Sequence, residues 1–223
     1  MLNFANPTGS RLSDDDKRAL LALLRRHDVP LIEDDVYAEL YFGPQAPLCS
    51  KAEDKTGLVM HVSSFSKCLA PGYRVGWVAA GRYAGLIQRQ KLSFSLATTI
   101  PVQIALADYL RQGGFENHLR RLRQTLVQQE AELARAVERH FPPGTRLARP
   151  QGGYFTWLEL PARVDTLRLH QEALARGISI APGPIFSATR AFRHHLRLNF
   201  GHPDPKRLEA AMATLGALIA GQL

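Results

Sequence analysis

The sequence has 223 residues, of which 45% are hydrophobic, 22% charged and 8% aromatic, a composition typical of a globular chain and not of a disordered or collagen-like one. No run reaches the roughly 18 uncharged apolar residues that a membrane-spanning helix needs, and no signal peptide follows Met1, so we expect a cytoplasmic protein without membrane partners. The formal net charge is +8, which we interpret as solvated, arginine-rich helix faces.

The first half of the chain predicts alternating helices and strands. Residues 1–8 are interpreted as the end of a strand that runs into an Asn-Pro turn, and residues 13–28 as an amphipathic helix with Ser13 as its N-cap. Apolar segments predict three strands, at residues 29–37, 57–64 and 74–81. This alternation indicates an α/β fold, in which functional groups gather at strand ends.

The second half predicts helices at 85–94, 100–111 and 115–141, and a domain boundary at 142–144. A hairpin-like segment (147–159), two helices (166–176 and 205–218) and two strands (178–182 and 195–201) then predict a compact α+β lobe. We therefore expect three parts: a large-domain portion at 1–114 with a mainly parallel sheet, a connecting helix at 115–141, and a small C-terminal domain at 142–223.

The strongest motif is SFSKxxxPGxRxG, which begins at Ser64 and contains Ser66, Lys67, Arg74 and Gly76. A lysine just after a buried strand, with hydroxyls before it and an arginine seven residues later, can hold a phosphorylated aldehyde by an imine and by phosphate contacts. Taken alone, Lys67 would be interpreted as a surface lysine in a turn.

Two further segments strengthen this interpretation. The NPTG segment supplies the amide of Asn6, and the EDDVY segment supplies the carboxylate of Asp34 and the phenol of Tyr37. If all three segments follow strands of one parallel sheet, their side chains converge at one edge, where ligands bind in such folds.

With these motifs in place, the sequence resembles the fold type I enzymes that use pyridoxal 5′-phosphate (PLP), specifically the class I and II aminotransferases. The resemblance implies that Lys67 forms an imine with PLP and that Asp34 pairs with the pyridine nitrogen. It further implies ring contacts from Asn6 and Tyr37, phosphate contacts from Ser64, Ser66 and Arg74, and substrate binding by Asn6 and Arg197. Arg197, in the segment HLRLNF, would hold an α-carboxylate, as in an amino acid.

Within this family, sequence segments such as IEDDVYAEL and APGPIFSATRAFRHHLRLNFGH resemble the aminotransferase-like part of MocR-type regulators, a branch of the GntR transcription factors. The alternative is a free-standing class I or II amino-acid aminotransferase, because such enzymes contain similar sequence segments. Either resemblance implies a homodimer. The regulator would contact DNA only through an N-terminal domain that this sequence does not contain.

Members of this family begin well before the NPTG segment, so we expect the sequence to be a fragment in which the N-terminal half of the PLP-binding domain is missing. Loss of the preceding phosphate-binding amides should weaken PLP binding, and proficient transamination by the fragment alone is not expected. An uncovered apolar sheet should also favour association with a partner or domain exchange.

Two alternatives to a PLP site have weaker support in the sequence. A serine hydrolase is suggested by Ser64-x-x-Lys67 and a KTG at 55–57, but the order of these elements is wrong and no Ser-Asp-Asn element appears. A DNA-binding module is suggested by the basic cluster at 120–123, which lacks a helix-turn-helix pattern. Cys49 and Cys68 lie in no zinc-binding spacing, so no metal site is expected.

Overall fold

The structure is a computed structural model that describes residues 1–202 and 204–223. Contacts between Cα atoms divide the chain into two compact units. Unit 1 contains Met1–Phe4 and Ser10–Arg123, and unit 2 contains Ala5–Gly9 and Gln124–Leu223. The division falls inside a 27-residue helix, Gly114–His140, which corresponds to the long helix predicted at 115–141.

Unit 1 is built on a three-stranded sheet whose order follows the sequence. Its strands are β1 (Leu31–Asp34), β2 (Val59–Ser64) and β3 (Gly76–Ala79). Strands β1 and β2 are parallel, whereas β3 runs antiparallel to β2, so this sheet is mixed. Three helices belong to the unit, α1 (Asp14–Arg26), α2 (Ala84–Ser95) and α3 (Ile100–Arg111), and the long helix that follows is α4.

Helix α1 shows how local sequence sets an element boundary. The Ser13 side chain accepts a 3.1 Å hydrogen bond from the Asp16 amide, which satisfies one of the free N–H groups of the first turn. Three aspartates in that turn and two arginines in the last turn match the helix dipole. The N-cap predicted from the sequence is thereby confirmed.

Unit 2 contains a four-stranded antiparallel sheet with the strand order β4-β5-β7-β6. Its strands are β4 (Arg146–Leu147), β5 (Phe155–Glu159), β6 (Ala181–Pro182) and β7 (His195–Asn199). Helices α5 (Thr166–Leu174) and α6 (Pro205–Ala220) begin at aspartate N-caps. Leu158, Leu169, Leu196 and Leu215 are fully buried and form the centre of this unit.

One expectation about the elements was wrong. Residues 1–8 adopt turns and bends and contain no strand, because their hydrogen bonds are those of a turn, such as the 2.6 Å bond from the Gly9 amide to the Ala5 carbonyl. Asn6 therefore does not follow a strand end, and it lies in the segment that belongs to unit 2.

Several large apolar side chains of unit 1 are exposed. Ile32 on β1 is 67% exposed, Phe94 on α2 is 85% exposed, and Ile100 on α3 is 64% exposed. None of the helices in the described part of the chain is long and apolar enough to cross a membrane.

Candidate functional site

The turn between β2 and β3 carries the strongest sequence motif. The turn closes with a 3.1 Å hydrogen bond from the Phe65 amide to the Val75 carbonyl. At its end, a Cβ atom on Gly76 would lie 2.8 Å from the Ser63 carbonyl oxygen. The glycine is therefore required because the two strands approach too closely for any side chain at this position.

A guanidinium and two hydroxyls lie along this turn. Arg74 Nη1 donates to Ser66 Oγ at 3.5 Å and to the Pro71 carbonyl at 3.4 Å, and Ser64 Oγ accepts from the Ser66 amide at 3.3 Å. The Arg74 backbone is left-handed, with φ of 53°, a conformation that is uncommon for residues other than glycine. This group of donors, partly open to solvent, suits a phosphate.

Lys67 lies in the same turn and is exposed. Its Nζ is 5.9 Å from the centroid of the Tyr37 ring, and Tyr37 is itself buried. Asp34 is the last residue of β1, where it is paired with Val62 of β2, and its Oδ1 accepts a 3.4 Å hydrogen bond from the Val36 amide. Parallel pairing of β1 and β2 thus places the acidic and basic motifs at the same end of the sheet.

The start of α4 supports the lysine turn, a contact that the sequence motifs do not indicate. His118 Nε2 donates to the Cys68 carbonyl at 2.8 Å, and the Phe115 ring packs edge-on against Phe65 at 5.8 Å. Burial raises the pKa of the Cys68 thiol to about 11, so the neighbour of Lys67 remains a protonated thiol. The GGFENHL segment could have indicated this contact only through its aromatic residue and histidine.

In unit 2, Arg197 and Asn6 form a second polar pair. Arg197 Nη1 donates a 2.6 Å hydrogen bond to Asn6 Oδ1. The guanidinium carbon also lies 5.0 Å from the Phe155 ring centroid and 5.2 Å from that of Phe186. Two aromatic rings thus hold Arg197 by cation–π contacts, which no short sequence motif indicates because Phe155 and Phe186 lie far apart along the chain.

The predicted site residues are therefore distributed over both units. Lys67 contacts Tyr37, Arg74 contacts Ser66, and Arg197 contacts Asn6. Unit 1 contains Asp34, Tyr37, Ser64, Ser66, Lys67 and Arg74, whereas unit 2 contains Asn6 and Arg197.

The basic cluster of α4 is partly engaged in packing. Arg123 lies 4.3 Å from the Tyr41 ring centroid and donates to the Glu39 carbonyl at 3.2 Å. An arginine held in this way is not a freely exposed contact for a nucleic acid backbone.

The fold is that of an aminotransferase, and comparison with known proteins agrees. The sequence profile described as aminotransferase class I and II matches residues 2–215. The chain belongs to the aminotransferase class I and II family, as its motifs predict.

Relatives within this family include both regulators and enzymes. The chain is 45% identical over 223 residues, all of its length, to the uncharacterized HTH-type transcriptional regulator YdcR of Escherichia coli K12, and covers 48% of that protein. It is 33% identical over 219 residues, 98% of the chain, to the uncharacterized aminotransferase SSO0104 of Saccharolobus solfataricus, and covers 55% of it. The chain thus spans about half the length of the curated relatives it matches.

A solved structure supports the fold. LysN, an α-aminoadipate aminotransferase from Thermus thermophilus complexed with N-(5′-phosphopyridoxyl)-L-leucine, matches with a TM-score of 0.91 at 30% identity. The match covers 100% of this chain and 58% of the LysN chain.

Proposed function

We propose that this chain is the PLP-binding, aminotransferase-like effector region of a MocR/GntR-type transcriptional regulator, and that it binds an amino acid or another α-carboxylate. The observation that carries the proposal is the set of groups around the β2–β3 turn. Lys67 lies over Tyr37, and Arg74 donates to Ser66 within the same segment that separates β2 from β3.

The chemistry of these groups fits PLP. The Lys67 amine suits the aldehyde, and the Arg74 guanidinium with the Ser64 and Ser66 hydroxyls suits the phosphate. The Asp34 carboxylate suits a protonated pyridine nitrogen, because a nearby negative charge stabilises the cation. When bound, PLP supplies an electron sink for the α-carbon of an amino-acid ligand.

Each residue has a defined task in this proposal. Lys67 would hold the cofactor through its amine and would act as the base that accepts a proton from the ligand's α-carbon. Asp34 holds a proton at the pyridine nitrogen. Tyr37 would hydrogen-bond the phenolic oxygen of the ring and Arg74 would neutralise the phosphate charge, and the family resemblance gives Asn6 a ring contact as well.

Arg197 is proposed to recognise the ligand's carboxylate. A guanidinium presents two parallel N–H donors to a carboxylate, and the Phe155 and Phe186 rings restrict the orientation of that fork. Asn6 Oδ1 already accepts from one Arg197 nitrogen, which helps to hold the side chain in place before a ligand binds.

Two functions are compatible with the same groups. In the regulator, binding of PLP and an α-carboxylate would bias a DNA-binding domain elsewhere in the protein, which is coupling between two sites. The alternative, a free-standing aminotransferase, is favoured by the 33% identity to SSO0104. The regulator is our main proposal because identity to YdcR is higher, at 45%. The resemblance also favours a homodimer, which we include in the proposal.

PLP binding is tested directly on the 223-residue chain. We expect a PLP absorbance band that shifts on binding and, after borohydride reduction, a phosphopyridoxyl group on the Lys67 peptide by mass spectrometry. Lys67→Ala should abolish the adduct, and Lys55→Ala, a change at an exposed lysine, should not. An adduct spread over several lysines and retained in Lys67→Ala would contradict the site.

The regulator and the enzyme are separated by a second experiment. Sequencing the native transcript upstream of Met1 should reveal an in-frame helix-turn-helix region and the remainder of the PLP domain. An in-frame extension that encodes a PLP half-domain alone, together with transaminase activity of the long product, would favour the aminotransferase instead.

A further inference from the structure

A second polar cluster lies in unit 1, and the PLP proposal does not use it. Glu33 on β1 is fully buried, and His61 on the neighbouring strand β2 is its register partner. Cys49, from the loop before β2, and Asp35, just after β1, complete the cluster. One ligand atom from each of the four residues lies within 4.8 Å of all the others.

The distances among these atoms have a particular pattern. His61 Nδ1 lies 3.2 Å from Glu33 Oε2 and 3.3 Å from Cys49 Sγ, and the thiol lies 3.4 Å from the same carboxylate oxygen. Asp35 Oδ2 is 4.0 Å from His61 Nδ1. An ion bound at about 2.0 to 2.3 Å holds tetrahedral ligand atoms roughly 3.3 to 3.8 Å apart, so three of these separations already approximate the edges of a tetrahedron.

The two carboxylates are held in place by other groups. Glu33 accepts from the amides of Ser50 at 2.8 Å and Lys51 at 3.2 Å, and Asp35 Oδ1 accepts from Asn3 Nδ2 at 2.8 Å. Glu33 is therefore an oriented carboxylate, as metal ligands commonly are.

We propose that Glu33, Asp35, Cys49 and His61 form a binding site for a divalent transition metal ion, with Zn²⁺ as the preferred ion. A thiolate, an imidazole and carboxylates are the ligands that Zn²⁺ takes in proteins, in four-coordinate geometry. Mg²⁺ and Ca²⁺ prefer all-oxygen sites, so the sulfur and nitrogen ligands select against them.

The site is separate from the proposed cofactor groups. Successive residues of a strand point to opposite faces of the sheet, so Glu33 on β1 lies on the face opposite Asp34. The ion would tie the β1 and β2 strands to the Cys49 loop, and it would not compete with PLP. Because the ligands lie at positions 33, 35, 49 and 61, no compact metal motif exists in the sequence.

The test uses the tag-free 223-residue chain and the metal alone. We expect one equivalent of Co²⁺ to give a thiolate-to-cobalt charge-transfer band and visible bands with the high absorptivity of four-coordinate Co²⁺. Both should disappear when Zn²⁺ displaces the cobalt, and both should remain in excess Mg²⁺. By calorimetry, Cys49→Ser and His61→Gln should each weaken Zn²⁺ binding by more than about 100-fold, since losing a ligand costs more than losing a group that orients one.

Matched controls are available within the chain. Cys68→Ser changes the other cysteine, and His27→Gln changes the C-cap of α1; neither should alter the cobalt spectrum or the Zn²⁺ affinity. Circular dichroism establishes whether each variant folds. If a ligand variant unfolds, the proposal is still tested by comparing the cobalt spectrum of the unaltered chain with that of Cys68→Ser. Absence of the charge-transfer band, its loss in Cys68→Ser, or equal Zn²⁺ affinity in folded Cys49→Ser would overturn the proposal.

Discussion

Arg197 and Asn6, 191 positions apart in the sequence, are joined by a 2.6 Å hydrogen bond from the guanidinium to the amide oxygen. The Phe155 and Phe186 rings flank the same guanidinium. A lysine could not reproduce this arrangement, because an ammonium lacks the planar fork that both stacks on rings and pairs with a carboxylate.

We therefore expect Arg197→Lys to weaken binding of an amino acid to the PLP-loaded chain by about 10- to 100-fold, as for loss of a charge-assisted hydrogen bond of about 1.5 to 3 kcal/mol. Titration of the cofactor spectrum with the amino acid measures the change. Arg176→Lys, just after α5, is the control and should leave affinity unchanged. Equal affinities of Arg197→Lys and the parent chain would remove Arg197 from the site.

Gly76→Ala should destabilise the chain by about 1 to 3 kcal/mol, because the added Cβ would lie 2.8 Å from the Ser63 carbonyl and the strands must move apart. The same change at Gly72 is the matched control, because no atom of the described residues beyond its two chain neighbours lies within 4 Å of the added Cβ. Urea unfolding of both variants checks the prediction. Similar stabilities would mean that the β2–β3 approach is not tight.

Asp54→Asn should also destabilise the chain. The Asp54 side chain is 1% exposed, and it accepts hydrogen bonds from the amides of Thr56, Gly57 and Val59 and from Lys51 Nζ. An asparagine would turn an NH₂ group toward some of these donors, and the expected cost is about 1 to 3 kcal/mol by chemical denaturation.

The same carboxylate makes a defined contribution to the pH dependence of stability. Burial raises the pKa of Asp54, but its hydrogen bonds outweigh burial and lower the pKa well below the usual 3.8. Its stabilisation is therefore complete above the unfolded-state pKa and is lost as the pH falls through the lower folded-state pKa. The stability difference between the parent chain and Asp54→Asn should shrink below pH 3.8; a difference that is constant down to the lowest accessible pH would contradict this.

Lys17→Met should be costly. Lys17 is fully buried, and its Nζ donates to Asn3 Oδ1 at 2.8 Å and to the Leu48 carbonyl at 2.9 Å. Methionine would leave both acceptors without a donor, at about 1 to 3 kcal/mol each. Lys55→Met, at an exposed lysine, is the control for thermal unfolding, and equal melting temperatures would refute the argument.

The 223-residue chain should self-associate through its exposed apolar side chains. Phe94 and Leu96 are 85% and 73% exposed, and large exposed apolar side chains favour association. Light scattering after size exclusion should give a mass above that of the 24.8 kDa chain. Phe94→Ser should lower that mass and Leu174→Ser, at a 56% exposed leucine of α5, should not. A monomer at every concentration would be the contrary result.

Local patterns in the sequence determined most of the elements and the family. Apolar periodicity with the Ser13 cap predicted α1, and the helical spacing of apolar residues in 115–141 predicted α4, because helix formation depends on residues only a few positions apart. The SFSK segment with its arginine, the EDDVY segment and the NPTG segment together identified the family, since each is a contiguous motif that can be read without the tertiary structure.

Only the tertiary structure decided which distant groups meet. It placed residues 5–9 in unit 2 and not in a strand of unit 1, and it brought Phe155 and Phe186 to Arg197. It also buried Lys17 and gathered Glu33, Cys49 and His61 into one cluster. The physical reason is that such contacts arise from strand pairing and loop packing between segments far apart along the chain, and no short sequence window contains both partners.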